Sequence, residues 1–86
     1  MTNEEYNDVG LESIVTVYSN TVSIVASAYD FRLTFGLMLG HQDGVAQRKM
    51  FAQIYITPVH AKALAALLSR QIEVYEARYG TLPSQD

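Results

Sequence analysis

The sequence predicts an α+β fold, in which a small antiparallel sheet of three to four strands is followed by one long C-terminal helix, in an oligomeric protein. Three observations support this prediction. Most of residues 13–57 are rich in Val, Ile, Thr and Tyr and alternate in polarity. Residues 58–79 repeat apolar side chains at helical spacing. A chain of 86 residues without cysteine depends on good local structure and self-association for its stability.

Composition limits the domain count, the partners and the location. We predict a flexible acidic tail at 1–12, a single β-sheet plus helix domain at 13–82 and a C-terminal tail at 83–86. The net charge of −3 and the absence of a basic stripe argue against nucleic-acid binding. No apolar run approaches the ~20 residues that span a bilayer, and the polar start does not resemble a signal peptide. We therefore expect a cytoplasmic protein that binds no membrane.

Residues 13–28 form the first predicted strand region. Ile14–Tyr18 has strand composition, Ser19 and Asn20 interrupt it as a bulge or turn, and alternation resumes at Val22. The small polar side chains of the alternating part indicate that one of its faces is exposed. This region accounts for the uncertainty between three and four strands.

Two further strands are predicted at 29–39 and 47–57. A turn near 27–29 would join the first two strands as an antiparallel hairpin, and Gly40–Gly44 is predicted to be a loop with turn chemistry at Asp43-Gly44. Each strand has one row of large apolar side chains: Phe31, Leu33, Phe35 and Leu37 on the second, and Met50, Ala52, Ile54 and Ile56 on the third.

The predicted helix has clear boundaries. Thr57 is a suitable N-cap, Pro58 suits the first helical position, and Gly80 is placed to end the helix in a left-handed cap. The apolar stripe is wider than a small sheet covers, so we expect the excess to pack on a second copy, most simply in a two-fold dimer. The alternative is a helix that lies flat on its own sheet with scattered exposed apolar residues.

The oligomer interface is predicted from large apolar side chains that the domain's own core does not need. Phe51 and Tyr55 lie on the second face of the third strand, where a sheet exposed on that side would be more polar. The helix contributes the remaining predicted interface residues: Leu64, Leu67, Leu68, Ile72, Val74, Tyr75 and Tyr79.

Candidate ligand-binding residues are few. Asp30 and Arg32 project from one face of a strand, where a solvated ion pair is the simplest interpretation and a charged ligand on Arg32 is the alternative. His60 and Lys62 lie in the first helical turn, where free N–H groups favour an anion, although every helix has such a terminus.

No catalytic, metal or cofactor site is predicted. His41, Asp43 and His60 lack the spacing of a metal site. The chain has no nucleophile elbow, phosphate-binding loop or paired acids at helical spacing, so we expect no enzymatic activity.

Three blocks carry a resemblance to a known family. "VYSNTVSI", "SAYDFRLTFG" and "ITPVHAKALAALLSRQIEVYEARYG" resemble, in this order and spacing, the bacterial and archaeal domain of unknown function 3467 family. The resemblance covers most of the chain from about Tyr18 onward, and the helix block is its most specific part. It implies a compact strand-rich domain with a C-terminal helix and supplies no activity. A looser likeness, through the strand pattern and the helix, is to SecB-type chaperones.

The function predicted from these observations is homo-oligomeric binding or scaffolding without catalysis. The partners are the chain itself, as a homodimer or higher oligomer, and a further protein or peptide of unknown identity. One alternative is a SecB-like chaperone that binds exposed apolar peptides. Another is a phage-type protein that sequesters a small anionic ligand through Arg32, His60 or Lys62.

Overall fold

The structure, a computed structural model, describes residues 5–84. Its strands form one antiparallel sheet in the order β1-β2-β3, and a helix follows the last strand. The elements are a short 3-10 helix at Leu11–Ser13, β1 at Thr21–Ala26, β2 at Phe31–Gln42, β3 at Val45–Ile56 and α1 at Pro58–Tyr79. The predicted α+β fold is confirmed, with three strands within the described residues.

A tight turn joins β1 to β2. The N–H of Ser27 donates to the carbonyl oxygen of Asp30 at 2.8 Å, and the Ser27 hydroxyl accepts from the N–H groups of Tyr29 and Asp30, each at 3.1 Å. A serine hydroxyl that bonds the backbone two and three residues on is a common way to stabilise a turn. The predicted hairpin between the first two strands is therefore confirmed.

The turn between β2 and β3 contains only Asp43 and Gly44. Both have positive φ, 53° and 77°, which is the backbone of the type I′ turn that fits the twist of a hairpin. The prediction of a loop over Gly40–Gly44 is wrong, because β2 continues to Gln42. The sheet tolerates Gly40, with its φ of 109°, at a register irregularity between Met38 and Gly40.

The chain before β1 differs from the prediction. Ile14–Tyr18 does not form a strand, because no strand of the described chain lies beside it. Of the predicted tails, residues 1–4 and 85–86 lie outside the described residues. Residues 5–10 have no regular secondary structure, and the proposed domain boundaries remain predictions.

The sheet is apolar on the face that α1 covers. Directly paired residues of neighbouring strands share a face, and Leu33 pairs with Ile24 on one side and Ile54 on the other. Leu33 is 9% exposed and is the buried apolar side chain of the described chain. A groove of about 210 Å³ separates the sheet from the start of α1 and is lined by Ile24, Phe31, Leu33, Ile56, Ala61, Leu64, Ala65 and Leu68.

A β-bulge at Phe51 changes which side chains share a face. Phe35 pairs with Ala52 and Gly36 pairs with Met50, so Phe51 has no direct partner. Strict alternation predicts Met50 on the face of Ala52, but its sulfur lies 2.6 Å from the position that a Cβ of residue 36 would take, on the opposite face. Gly36 is buried, and the backbone carbonyl oxygen of Lys49 lies even closer to that position than the sulfur does, so residue 36 must lack a side chain.

Candidate interaction surface

The N-terminus of α1 is fixed by the residues that end β3. Thr57 has extended backbone angles, and its side-chain oxygen accepts a hydrogen bond from the N–H of His60 at 3.1 Å. Pro58 begins the helix, where a missing N–H leaves no hydrogen bond unmade. The predicted N-cap is confirmed, and it directs α1 from the end of β3 back over the apolar face of the sheet.

The first half of α1 lies against this sheet face. Ala61, Leu64, Ala65 and Leu68 line the groove over Leu33, and Ala61 and Leu64 are only partly exposed. The helix does not fill this groove, because Ala65 is exposed and Leu68 is 54% exposed. The apolar stripe of α1 therefore faces its own sheet in this half and packs on it loosely.

The second half of α1 continues the same apolar stripe into solvent. We call the exposed large apolar side chains that continue this stripe the exposed seam: Leu68, Ile72, Tyr75 and Tyr79, which are 45–66% exposed. Leu67 and Val74 are exposed as well, but lie about a third of a turn away from this stripe around the helix. The rings of Tyr75 and Tyr79 lie 4.8 Å apart, within the range of a favourable aromatic pair. Contiguous apolar surface of this kind marks an interaction site more often than it marks ordinary solvent-facing surface.

The C-terminus of α1 is held by both the backbone and the side chain of one acidic residue. Glu76 is partly buried, its carbonyl oxygen accepts from the N–H of Gly80 at 3.0 Å, and its carboxylate accepts from the N–H of Leu82 at 2.7 Å. Gly80 ends the helix as predicted, but not in a left-handed cap. Its φ of 102° and ψ of 163° lie in an extended region open essentially to glycine alone.

The opposite face of the sheet, which we call the outer face, carries a polar cluster. Arg48 reaches from β3 across β2 to donate to the hydroxyls of Thr21 and Ser23, each at 3.0 Å. The side-chain amide of Gln53 donates to Thr34 at 3.1 Å. Hydroxyls at alternating strand positions face the same way, so this network follows from the period of the strands. The sequence analysis did not identify Arg48 as a functional residue.

Asp30 and Arg32 do not pair with each other in the described chain. The Asp30 carboxylate accepts from the Ser27 hydroxyl at 3.2 Å, which gives it a role in the β1–β2 turn. Arg32 lies on the outer face beside Val25 and Tyr55, its cross-strand neighbours. Its Nε is buried and has no hydrogen-bond partner among the described residues. Of the two, only Arg32 retains an unused donor.

The predicted ligand-binding residues Arg32, His60 and Lys62 do not form one cluster. His60 and Lys62 belong to α1, which covers the sheet face opposite to that of Arg32. The three residues remain a prediction, without shared geometry to support it. His41 and Asp43 lie at the far end of the β2–β3 hairpin, so the length of β3, ~36 Å at 3.3 Å per residue, separates them from His60.

The predicted interface residues do not share one surface. Phe51, 38% exposed, and Tyr55, 59% exposed, lie on the outer face. Of the helical members, Leu64 lies in the groove, Leu67 and Val74 are exposed on another side of α1, and the rest form the exposed seam: Leu68, Ile72, Tyr75 and Tyr79. Within residues 5–84, no group of three His, Cys, Asp or Glu side chains could hold a metal ion. No helix in this part of the chain combines the length and apolar character needed to cross a membrane.

Comparison with known proteins identifies a family and no characterised relative. No curated protein and no solved structure matches the chain, so nothing found supports the looser likeness to SecB-type chaperones. A family model described as "Protein of unknown function (DUF3467)" matches residues 2–84. This match confirms the resemblance carried by Tyr18–Asn20, Asp30–Gly36 and Thr57–Lys62. The chain therefore belongs to the DUF3467 family.

Proposed function

We propose that this protein is a non-enzymatic scaffolding module that works as a two-fold homodimer, with the exposed seam of α1 buried between the copies. The observation that carries the proposal is the amount of surface left uncovered. One copy exposes 7946 Å², whereas a compact monomer of 9.6 kDa exposes about 5,100 Å². The Cα radius of gyration, 16.2 Å, likewise exceeds the ~12 Å typical of a compact domain of this length.

The excess, about 2,800 Å² per copy, is sufficient for a permanent dimer. Obligate homodimers bury about 2,000–5,000 Å² in total, so each copy contributes about half of that area. Part of the excess belongs to residues 5–18, which lie outside the sheet. The exposed seam and the edges of the apolar sheet face, where Ile24 is 59% and Ile54 is 51% exposed, contribute to it as well.

The composition of the exposed seam favours a second copy as its cover. Leu68, Ile72 and Tyr75 follow one another at helical spacing, and the charged residues between them, Arg70 and Glu73, fall on other sides of the helix. Such a stripe is self-complementary under a two-fold axis, because each helix then presents the same apolar surface to the other. Tyr75 and Tyr79 suit the margin of an interface, where a ring is buried and its hydroxyl remains in water.

The experiment compares Ile72→Arg with Ala66→Arg by light scattering. Ile72 lies on the exposed seam, whereas the exposed Ala66 lies about 120° away around the same helix, so the two variants gain the same charge on different faces. The unmodified chain and Ala66→Arg are expected at twice the chain mass of 9.6 kDa. Ile72→Arg is expected at the chain mass, because an unpaired charge buried in the interface costs several kcal/mol. A dimer that persists in Ile72→Arg would place the interface elsewhere.

A chaperone-like binder of apolar peptides is the second candidate, because an exposed apolar helix face also suits an unfolded client. This candidate requires the seam to be free, whereas the dimer requires it to be covered. The discriminating assay is aggregation of an unfolded client protein at a stoichiometric ratio. Two results together would favour the chaperone. The unmodified chain would be a monomer of 9.6 kDa that suppresses aggregation, and Ile72→Arg would not suppress it.

Sequestration of a small anionic ligand is the third candidate, and its support is the unpartnered Nε of Arg32. A carboxylate or phosphate would satisfy that donor. Native mass spectrometry of the purified protein tests it directly. A bound small molecule that is lost in Arg32→Lys would favour ligand sequestration, and a spectrum of the bare chain would count against it.

A further inference from the structure

Residues 14–18, Ile-Val-Thr-Val-Tyr, have the composition of a strand but no partner in one copy. Their first four residues are β-branched, and all five have high strand propensity. Their large side chains are exposed, from 55% for Val17 to 85% for Val15. We call them the free segment. A segment of this kind is costly to leave in solvent and pairs readily with an open sheet edge.

The part of β2 beyond Gly36 has an open edge, next to the point where the chain enters β1. β1 pairs with β2 only from Phe31 to Gly36, whereas β2 runs on to Gln42 with β3 alone beside it. The far part of the β2–β3 hairpin is therefore a two-stranded ribbon within the described chain. Such a ribbon is marginally stable without a third strand, and Leu39 and Val45 on it are 66% and 61% exposed.

The hydrogen bonds at Ser19 and Asn20 end the pairing of β1 and divert the chain. The N–H of Asn20 donates to the carbonyl of Gly36 at 3.1 Å, and its side-chain oxygen accepts from the N–H of Met38 at 2.9 Å. The Ser19 hydroxyl lies 3.0 Å from the Gly36 carbonyl and 2.9 Å from that of Thr21. The chain bends at Asn20, so the free segment does not continue along β2 in its own copy.

We propose that the free segment of one copy adds as an antiparallel strand to residues 39–42 of β2 in the second copy, and that the exchange is reciprocal. The proposal rests on the homodimer proposed above. In a two-fold dimer, reciprocal exchange pairs both free segments with both open stretches of β2 and leaves the outer edges of β1 and β3 unpaired. The open stretch has four residues, one fewer than the segment, so residues 15–18 can cover it. If the pairing continues the β1–β2 register, Thr16 lies opposite His41.

We take the partner to be a second copy, because each chain has one free segment and one open edge at residues 39–42 that could receive it. Ser19 and Asn20 form the hinge of the exchange, since their bonds hold the end of β1 while the chain before them turns away. Exchange of an identical element between copies is a known route to dimers and retains the pairing that an unbroken strand would make. The strand predicted from sequence at Ile14–Tyr18 would then form, but only between copies.

The first test is a disulfide between copies, because the chain has no cysteine of its own. Thr16→Cys and His41→Cys are prepared on separate chains, one of which carries a tag that distinguishes its mass, and are mixed, allowed to exchange and oxidised. A disulfide-linked product containing one chain of each kind is expected. The matched control pairs Val9→Cys, outside the free segment, with His41→Cys and is expected to link at most a tenth as much. Val15→Cys and Val17→Cys cover a register slip of one residue.

The same two cysteines placed on one chain distinguish exchange from closure within a copy. Linked dimers support the exchange. Linked monomers would overturn it, because the free segment would then pair with its own β2. Absence of any cross-link in a protein that light scattering finds dimeric would also overturn it and leave the proposed dimer standing. A monomeric protein would contradict both proposals.

Hydrogen exchange provides a second measurement that needs no cysteine. In the dimer, amides of residues 14–18 and 39–42 are expected to exchange at least tenfold more slowly than those of residues 5–10, as an order-of-magnitude effect of strand pairing. Thr16→Pro removes a donor and should abolish this protection at residues 14–18 and at those amides of residues 39–42 that point away from β3, whereas Val9→Pro should not. Unprotected amides at residues 14–18 in the intact dimer would contradict the exchange.

Discussion

The two halves of α1 have the same sequence pattern and different surroundings. In the first half, Ala61, Leu64 and Ala65 line a groove over the buried Leu33. In the second half, the same stripe continues through Ile72 to Tyr79, and its side chains remain about half exposed or more. The comparison teaches that helical periodicity identifies an apolar face without identifying what covers it. One half is covered by the chain's own sheet, and we propose that the other is covered by a second copy.

The largest effect is expected from the residue beneath the first half of the helix. Leu33→Ala should lower the free energy of unfolding by about 3 kcal/mol, because it leaves a cavity where both β-strand neighbours and α1 meet. Urea denaturation measures the change. Val59→Ala is the control, since Val59 lies in the first turn of α1 but is 81% exposed, and it should change stability by at most about 0.5 kcal/mol. Equal effects of the two substitutions would mean that Leu33 is not the core.

A pair of substitutions, one in each half, separates folding from assembly. Leu64→Ala in the groove should lower the free energy of unfolding by about 2 kcal/mol and leave the dimer dissociation constant nearly unchanged. Ile72→Ala on the exposed seam should raise that constant at least about tenfold, since each copy loses buried apolar surface worth on the order of 1 kcal/mol.

Sedimentation gives the dissociation constant of this pair, and urea denaturation gives the stability. Leu64→Ala is expected to change mainly the stability, and Ile72→Ala mainly the dissociation constant. If Leu64→Ala weakened the dimer as much as Ile72→Ala did, the two halves of α1 would not differ in their surroundings.

The smallest expected effect is at the C-terminus of the second half. Glu76→Ala removes the acceptor for the N–H of Leu82 and should destabilise the end of α1 by about 1 kcal/mol, with faster amide exchange at residues 80–82. Glu76→Gln retains an acceptor oxygen and should lie between this variant and the unmodified chain. Unchanged exchange at residues 80–82 in Glu76→Ala would show that the carboxylate does not hold this segment.

Local features of the fold were predictable where one residue type determines the backbone. Thr57-Pro58 predicted the start of α1, and Asp43-Gly44 predicted a turn whose two positive φ angles suit these residues. The length of β2 was not predictable, because Gly40 has the composition of a loop but lies in a strand irregularity. No local pattern predicts that a paired strand will accommodate such a glycine at a register irregularity.

The candidate surface was predictable in part for the same reason. The apolar seam followed from the spacing of Leu68, Ile72 and Tyr75, because that spacing is a property of one helix. The bridge from Arg48 to Thr21 and Ser23 joins positions 25 and 27 residues apart, so it depends on the strand register and left no local signal. The bulge at Phe51 likewise moved Met50 to the other face, which alternation alone does not predict.

The molar mass of the unmodified chain in solution shows whether a second copy covers the exposed seam. Sedimentation equilibrium over a dilution series through the micromolar range should give twice the chain mass of 9.6 kDa at the higher concentrations, with dissociation toward the chain mass on dilution. A mass of 9.6 kDa at every concentration would rule out the proposed dimer, since the second half of α1 would then be covered by nothing but solvent.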